Sequence, residues 1–255
     1  MNSLVDYPFL VLALSLVGLW LSARIGGSIR KRKRNVEGEG REDFDIIMGA
    51  ILTLLALIIG FSFSVAVSRY DQRKNYEEAE ANAIGTEYAR ADFLPAADAA
   101  KVRALLKNYL HQRVLFYNTR DNRQLQQIDA TTTQMETDLW AAVQAPAVAK
   151  PTPTVGLAAS GMNDVLNSQG YTQAAWLYRM PKEAWILMAV IAIFCNLMIG
   201  YGSRRAAAKG SLFLVIPLLV SISFFLIADI DSPRGGIIRV RPDNLTSLSQ
   251  SLGAH

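Results

Sequence analysis

Residues 52–92 read LTLLALIIGFSFSVAVSRYDQRKNYEEAEANAIGTEYARAD, and the stretch is apolar as far as Val67 and rich in charge after Ser68. No proline interrupts it, and its only glycines are Gly60 and Gly85, so the sequence predicts one helix. About 40 residues at a rise of ~1.5 Å form a rod of roughly 60 Å, about twice the hydrocarbon thickness of a bilayer. We therefore expect a helix that crosses a membrane and continues beyond it.

Two stripes of residues follow the apolar half of this helix, each with a spacing of four. The first consists of small residues, which let another backbone approach closely: Ala56, Gly60, Ser64 and Ser68. The second lies on a neighbouring face: Thr53, Leu57 and Phe61. Ordinary helix packing is the simplest interpretation of both stripes.

The charged half of the stretch carries i,i+4 pairs of opposite charge. Arg73 precedes Glu77 and Lys74 precedes Glu78 at the spacing that supports a solvated helix. We interpret this charged face as solvent-exposed surface.

Composition limits the class of protein. The 255 residues allow one or two domains, 51% of them are apolar, and the net charge is only +4. Acidic and basic residues alternate outside the apolar runs, so the basic face that binds nucleic acid is not indicated. The single cysteine, Cys195, can form neither an internal disulfide nor a thiolate metal site, and it leaves the redox compartment open.

Four apolar runs are long enough, or nearly so, to cross a bilayer. They are Tyr7 to Ser22 (extended by Ala23 and Ile25), Ile46 to Val67, Ala184 to Tyr201, and Leu212 to Ala228. The first is not typical of a secretion signal, because residues 1–6 contain no basic residue and the basic cluster follows the run. The sequence predicts an all-α protein with four membrane spans.

We divide the chain into four segments. Spans one and two with their basic connecting loop occupy residues 1–67, an extramembrane helical domain continuous with span two occupies 68–183, spans three and four occupy 184–228, and a tail occupies 229–255. In the extramembrane domain, helical patterns follow Pro95, cover Gln124 to Val143 and cover Val155 to Tyr178, and no strand pattern of any length is present. Three prolines are expected to break the chain between the last two helices: Pro146, Pro151 and Pro153.

The sequence contains no constellation typical of catalysis. His111 and His255 are far apart, and neither a phosphate-cradling loop nor a nucleophile elbow is present. His111 is expected on a helix surface. Asp229 and Asp231 form the best carboxylate pair, but positions i and i+2 point apart on a helix, so a cap or an ion-facing group is more plausible than joint acid–base work. We predict no enzyme and no cofactor.

The basic run Arg30 to Arg34 follows the first span directly. Its first interpretation is a topology determinant that holds its loop in the cytoplasm, and its second is attraction to anionic lipids. Together with Arg204 to Lys209 it gives the two connecting loops a slight excess of basic charge, which favours placing the extramembrane domain outside. The expected location is the plasma membrane, or the inner membrane of a Gram-negative cell.

Two segments carry a resemblance to a known family. The stretch from Gly60 to Tyr70 resembles the pore helix of bestrophins, where a Gly-Phe pair leads to Thr/Ser-Arg-aromatic, and Asp229 to Gly235 resembles the bestrophin turn after span four. Over nearly its full length the chain is similar to a family of membrane proteins named for a bestrophin-like domain, with Ser68 to Asp71 and Glu80 to Thr86 as recurring features.

The resemblance implies a pentameric ion channel. Alignment on the Gly-Phe pair places the narrow neck of the bestrophin pore on Thr53, Leu57 and Phe61, where Thr53 departs from the apolar pattern. A pore mouth would then involve Arg69, Asp229 and Asp231. The acidic run that senses calcium in animal bestrophins is absent. Bestrophins keep the domain between spans two and three inside the cell, which conflicts with the charge count above.

Three functions remain open at this point. The first is an oligomeric ion channel whose partners are its own copies, the lipid bilayer and permeant ions. The second is a non-conducting membrane scaffold whose helical domain binds a partner, and the third and weakest is a membrane enzyme.

Overall fold

The structure, a computed structural model, describes residues 4–32, 41–202 and 212–253. The chain divides into two compact units. The first contains Met1–Tyr70 and Arg179–Arg239, and the second contains Asp71–Tyr178 and Val240–His255.

The described residues form helices joined by short connections, and no strand occurs among them. The α-helices are α1 (Pro8–Arg32), α2 (Arg41–Arg90), α3 (Ala96–Asn118), α4 (Asn122–Ala149), α5 (Pro153–Leu177), α6 (Lys182–Gly202), α7 (Leu212–Asp231) and α8 (Asp243–Gly253). Among the described residues, four helical stretches are long and apolar enough to cross a membrane: Pro8–Arg30, Asp43–Phe93, Pro153–Gly202 and Leu214–Asp231. The predicted all-α, four-span architecture is confirmed.

Helix α2 is continuous over 50 residues, from Arg41 to Arg90. Its apolar half belongs to the first unit and its charged half to the second, because the units divide at Tyr70. This is the single long helix that the absence of proline predicts.

The first unit is held by an apolar core between its helices. Buried side chains from four helices form this core, among them Leu19, Leu55, Met188 and Phe224. At one point the backbones of α1 and α6 touch. A Cβ atom added at Gly26 would lie 1.9 Å from the carbonyl oxygen of Leu197, and one added at Gly200 would lie 1.9 Å from that of Ala23. Only glycine permits this approach.

The second unit packs α3, α4 and α5 with the charged half of α2. Its fully buried apolar side chains include Leu106, Tyr109, Leu139 and Met162 from α3, α4 and α5. The starts of α4 and α5 are capped by side chains. Asp121 accepts hydrogen bonds from the first amides of α4, and Thr152 caps α5, where Pro153 occupies the first turn.

Two expectations from the sequence are wrong in this unit. Pro146 does not break the chain but lies inside α4, where the amide of Lys150 bonds to its carbonyl. Pro146 is buried and lies in the last turn of α4, which ends three residues later at Ala149, so little helix follows the backbone hydrogen bond that the proline removes. Pro151 and Pro153 do separate α4 from α5.

The second correction concerns the charged half of α2. Its charges do not all form surface, because Arg73 and Glu77 are buried, as are Glu80 and Glu87. The spacings between these four positions place them on one side of the helix, with Ile84 between them. We call Arg73, Glu77, Glu80 and Glu87 the buried polar face. Lys74 and Glu78, the other i,i+4 pair, are exposed as expected.

Candidate functional site

The apolar half of α2 buries one side and exposes most of the rest. Leu55 and Ala66 are buried in the core of the first unit, whereas Leu57 is 51% and Phe61 65% exposed. Thr53 lies on the same exposed side, and its hydroxyl donates a hydrogen bond to the carbonyl of Gly49 at 2.8 Å. The bond turns the hydroxyl toward its own helix, which leaves the three positions less polar than the sequence indicates.

The small-residue stripe is also exposed on a single chain: Ala56, Gly60, Ser64 and Ser68. A Cβ atom added at Gly60 would meet nothing within 4 Å. Within one chain this stripe therefore does not serve the close packing that its spacing predicts, and the glycines at that kind of contact are Gly26 and Gly200. An open small-residue face on a membrane helix is available to another helix.

The two aspartates near the end of α7 are buried and bind backbone amides. The carboxylate of Asp229 accepts from the amides of Ile237 and Ile238, each at 2.8 Å. The carboxylate of Asp231 accepts from the amide of Met180 at 3.1 and 3.2 Å. The two carboxylates serve different segments, as the i,i+2 spacing predicts, and each is occupied in ordering the backbone of the first unit.

The turn that follows α7 requires its glycines. A Cβ atom at Gly235 would lie 2.1 Å from the carbonyl oxygen of Asp6, and one at Gly236 would lie 2.5 Å from that of Asp229. Arg179 connects the N-terminal segment to the end of α7. Its guanidinium pairs with the Asp6 carboxylate at 2.8 Å and donates a hydrogen bond to the carbonyl of Asp231 at 2.9 Å. Arg69, the third residue expected at a pore mouth, is half-buried on α2.

The second unit contains a buried ion pair that the sequence does not reveal. Glu80 of α2 pairs with Arg113 of α3, and neither side chain is exposed. The Glu80 carboxylate also accepts from the hydroxyl of Tyr117 at 3.3 Å and from that of Thr172 at 3.1 Å. Burial alone would lower the pKa of Arg113, but the adjacent Glu80 charge raises it above its usual range. Through these contacts Glu80 joins α2, α3 and α5.

Glu77, one turn before Glu80, holds the start of α8. Its carboxylate accepts from the amide of Leu245 at 2.9 Å and from the side-chain amide of Asn244 at 2.7 Å. Burial raises the pKa of Glu77, and these hydrogen bonds partly offset the increase. A carboxylate at a helix N-terminus also interacts favourably with the helix dipole.

Sequence reasoning missed the buried polar face for a definable reason. Charged residues in the charged half of α2 recur at spacings of three and four, which is the pattern of a buried helix face, but the residue types indicated surface. The signal that could have found the face is the coincidence of this spacing with Ile84 on the same side.

The remaining candidates carry no site. His111 is exposed, as expected, and Cys195 is buried. Within the described ranges, no cluster of three His, Cys, Asp or Glu side chains could hold a metal ion. Arg30 donates to the carbonyls of Tyr201 and Gly202 at the end of α6. The residues whose side chains are described do not include Lys31 to Arg34, Arg204 to Lys209 or His255.

These features define the class first: a four-span α-helical membrane protein with a helical extramembrane unit and a long helix exposed on its apolar half. The model of the Bestrophin-like domain matches residues 9–245, and the chain belongs to that family. At this level the protein is a membrane protein of a channel family. No protein of curated function matches the sequence.

Solved structures share the fold over nearly the whole chain. A leucine-to-threonine variant of a bacterial bestrophin homologue from Klebsiella pneumoniae is similar with a TM-score of 0.65 and 13% identity, covering 98% of each chain. A tryptophan-to-alanine variant of that homologue gives a TM-score of 0.66 at 12% identity, covering 95% of this chain and 94% of the other. A third structure, also of a bacterial bestrophin homologue from Klebsiella pneumoniae, has a TM-score of 0.63 at 14% identity and covers 96% of this chain and 95% of the other. At such identities the likeness shows the fold.

Proposed function

We propose that the protein is a homo-oligomeric ion channel, a pentamer, whose pore is lined by α2. The observation that carries the proposal is the exposure of Leu57 and Phe61 on a helix that belongs to the first unit's core on its other side. An apolar stripe of this kind can face lipid, a second copy or a pore. Family membership favours the pore, since the stripe coincides with the neck position that the bestrophin resemblance implies.

In this proposal, Thr53, Leu57 and Phe61 form successive rings around the axis. Rings of exposed apolar side chains make a dry constriction that opposes ion passage by dewetting. The small-residue stripe supports the same assembly, because the open space at Gly60 lets a neighbouring copy approach. Permeant ions would pass the neck and leave near Arg69.

We propose that Arg69, Asp229 and Asp231 lie at the pore mouth and have different roles. Arg69 contributes positive charge. The two aspartates act through the backbone segments that they order, because their carboxylates are buried and hydrogen-bonded. The location proposed is the plasma membrane, or the inner membrane in a Gram-negative cell, with anionic lipid near Arg30 to Arg34.

Ion flux from liposomes that contain purified protein tests the proposal. Wild type is compared with the double variant Leu57→Ala/Phe61→Ala and with Phe63→Ala. Phe63 is a matched control, since it is also an exposed phenylalanine of α2 but lies about 200° around the helix from Phe61. We expect the double variant to conduct more than wild type and Phe63→Ala to match wild type.

The alternatives remain distinguishable in the same assay. Equal increases in both variants would indicate loosened packing instead of a neck. No flux from any of the three proteins, each shown to be folded and oligomeric, would support the non-conducting scaffold. An Arg69→Gln variant adds a test of the mouth. The positive charge of Arg69 should bias the channel toward anions, and its loss should reduce that bias without opening the neck.

A further inference from the structure

Among the described residues, Glu87 is the acidic member of the buried polar face whose carboxylate has no hydrogen-bond partner. Its side chain is fully buried, and neither carboxylate oxygen forms a hydrogen bond within the described part of the chain. The other acidic members differ, since Glu77 binds the start of α8 and Glu80 accepts from three side chains. A buried carboxylate without donors is tolerated far better neutral than ionised.

The space for the Glu87 carboxyl is provided by α5. A Cβ atom added at Gly161 would lie 2.1 Å from the Glu87 Oε2 atom and 2.5 Å from a terminal nitrogen of Arg90. The Glu87 carboxyl and the Arg90 guanidinium therefore both lie against the backbone of α5, in space that a side chain at position 161 would otherwise occupy. Close contact between α2 and α5 depends on these two side chains staying in place.

The charged groups that act on Glu87 come from both packed helices. Arg90, on α2 itself, lowers the pKa of Glu87, and Asp164, on α5, raises it. Arg90 pairs with Asp164 at 3.8 Å, and both of these side chains are partly exposed. The cation that could neutralise an ionised Glu87 is thus engaged by an anion of the neighbouring helix.

We propose that Glu87 is a proton-controlled contact between α2 and α5, which is tight while the carboxyl is neutral and loosens when it ionises. On ionisation the carboxylate needs a donor or water. It obtains water when its own side chain turns outward, and this movement withdraws the carboxyl from the Gly161 contact.

The direction of the pH effect follows from linkage. Burial, the largest cause, raises the pKa of Glu87 from its ordinary value of 4.5 to about 8. The packed state therefore holds the proton more tightly than a state in which Glu87 reaches water. The stabilisation is complete below pH 4.5, is lost as the pH rises toward 8, and changes no further above that value. The equilibrium constant for opening of the contact between α2 and α5 can rise at most about tenfold per pH unit, because only one proton is released.

Amide hydrogen exchange of the full-length protein in nanodiscs, followed by mass spectrometry between pH 5.5 and 8.5, tests this contact. Rates are corrected for the intrinsic pH dependence of each amide. In wild type, peptides that contain Gly161 should lose protection as the pH rises, by up to about 100-fold over two units. Glu87→Gln keeps the shape but cannot ionise, so its protection should be independent of pH. Glu78→Gln, an exposed glutamate of the same helix, should follow wild type.

Infrared spectroscopy provides a second measurement, and its first readout is made on wild type alone. Wild type at pH 7 should show the carbonyl band of a protonated carboxylic acid, which disappears with a midpoint near pH 8. The band should be absent in Glu87→Gln and present in Glu78→Gln. The proposal is overturned if wild type shows no such band, or if protection near Gly161 has the same pH dependence in wild type and Glu87→Gln.

Discussion

The Arg113 guanidinium forms an ion pair with the Glu80 carboxylate in the interior of the second unit, where neither side chain reaches solvent. The pair joins α2 and α3, which are separated in sequence by the turn at Pro95. The hydroxyl groups of Tyr117 and Thr172 also donate hydrogen bonds to the Glu80 carboxylate. Removal of one partner from a buried ion pair is strongly destabilising, because the other charge then remains buried without compensation.

Arg113→Met should therefore destabilise the second unit strongly. The substitution leaves Glu80 buried with hydroxyl donors alone, at a cost of ~3–5 kcal/mol. Chemical denaturation followed by tryptophan fluorescence measures the loss, since Trp176 packs against Tyr117 and Phe116 in the same core. Arg103→Met is the control, because both side chains of its pair with Asp92 reach solvent and the pair should contribute about 1 kcal/mol or less. Similar losses in both variants would contradict the assigned role of Arg113.

Gly200→Ala should weaken the first unit. The added methyl group would meet the backbone of α1 at Ala23, so the helices must separate, which costs ~1–3 kcal/mol. Thermal unfolding in detergent measures the change. Gly18→Ala on α1 is the matched control, since its Cβ would meet nothing within 4 Å and no loss is expected. A stable Gly200→Ala protein would show that α1 and α6 do not approach as closely as described.

Gly60→Leu should affect assembly and spare the fold of the single chain. The space around Gly60 is open, so a leucine side chain fits in one chain but keeps a neighbouring helix at a distance. Native mass spectrometry should show fewer oligomers, with unchanged helicity by circular dichroism. The control is Gly18→Leu, which also enters open space but lies outside the small-residue stripe. Unaltered oligomers in Gly60→Leu would remove this stripe from the proposed interface.

Glu77→Ala should release α8. The substitution removes both hydrogen bonds that hold the helix start and leaves the Leu245 amide without its acceptor, at a cost of ~1–3 kcal/mol. Hydrogen exchange of peptides from α8 should accelerate accordingly. Glu78→Ala, at the next position but exposed, should leave α8 protected. If both variants behave alike, the docking of α8 depends on apolar packing at Leu245 instead.

Gly161→Ala should displace the Glu87 carboxyl. The new methyl group meets the ends of two flexible side chains and no backbone, so Glu87 and Arg90 can move aside. Because the displaced carboxyl gains access to water, the pKa of Glu87 should fall from about 8 toward its ordinary value. Infrared titration measures the midpoint. Gly156→Ala on the same helix enters open space and should leave the titration unchanged.

The sequence predicts the architecture well because the apolar runs and the proline-free stretch act locally. The spans and the continuous α2 need no knowledge of distant residues. The buried polar face could not be recognised in the same way, since its interpretation depends on partners far along the chain, such as Thr172 for Glu80 and Leu245 for Glu77. The same holds for the close approach of Gly26 and Gly200, which only the packed helices reveal. The neck and mouth residues stay predictions, because they depend on copies beyond a single chain.

The two kinds of glycine contact also differ in how the sequence can vary during evolution. At Gly26 and Gly200 the obstacle to a side chain is a neighbouring backbone, which no substitution elsewhere can shorten. Both positions should therefore accept only glycine among relatives that keep this helix crossing. At Gly161 the obstacle consists of the ends of the Glu87 and Arg90 side chains. Shorter residues at positions 87 and 90 would create room for a side chain at position 161. An alanine at position 161 should accordingly appear together with smaller side chains at 87 or 90, so the proton-controlled contact can be lost by paired substitution while the fold persists.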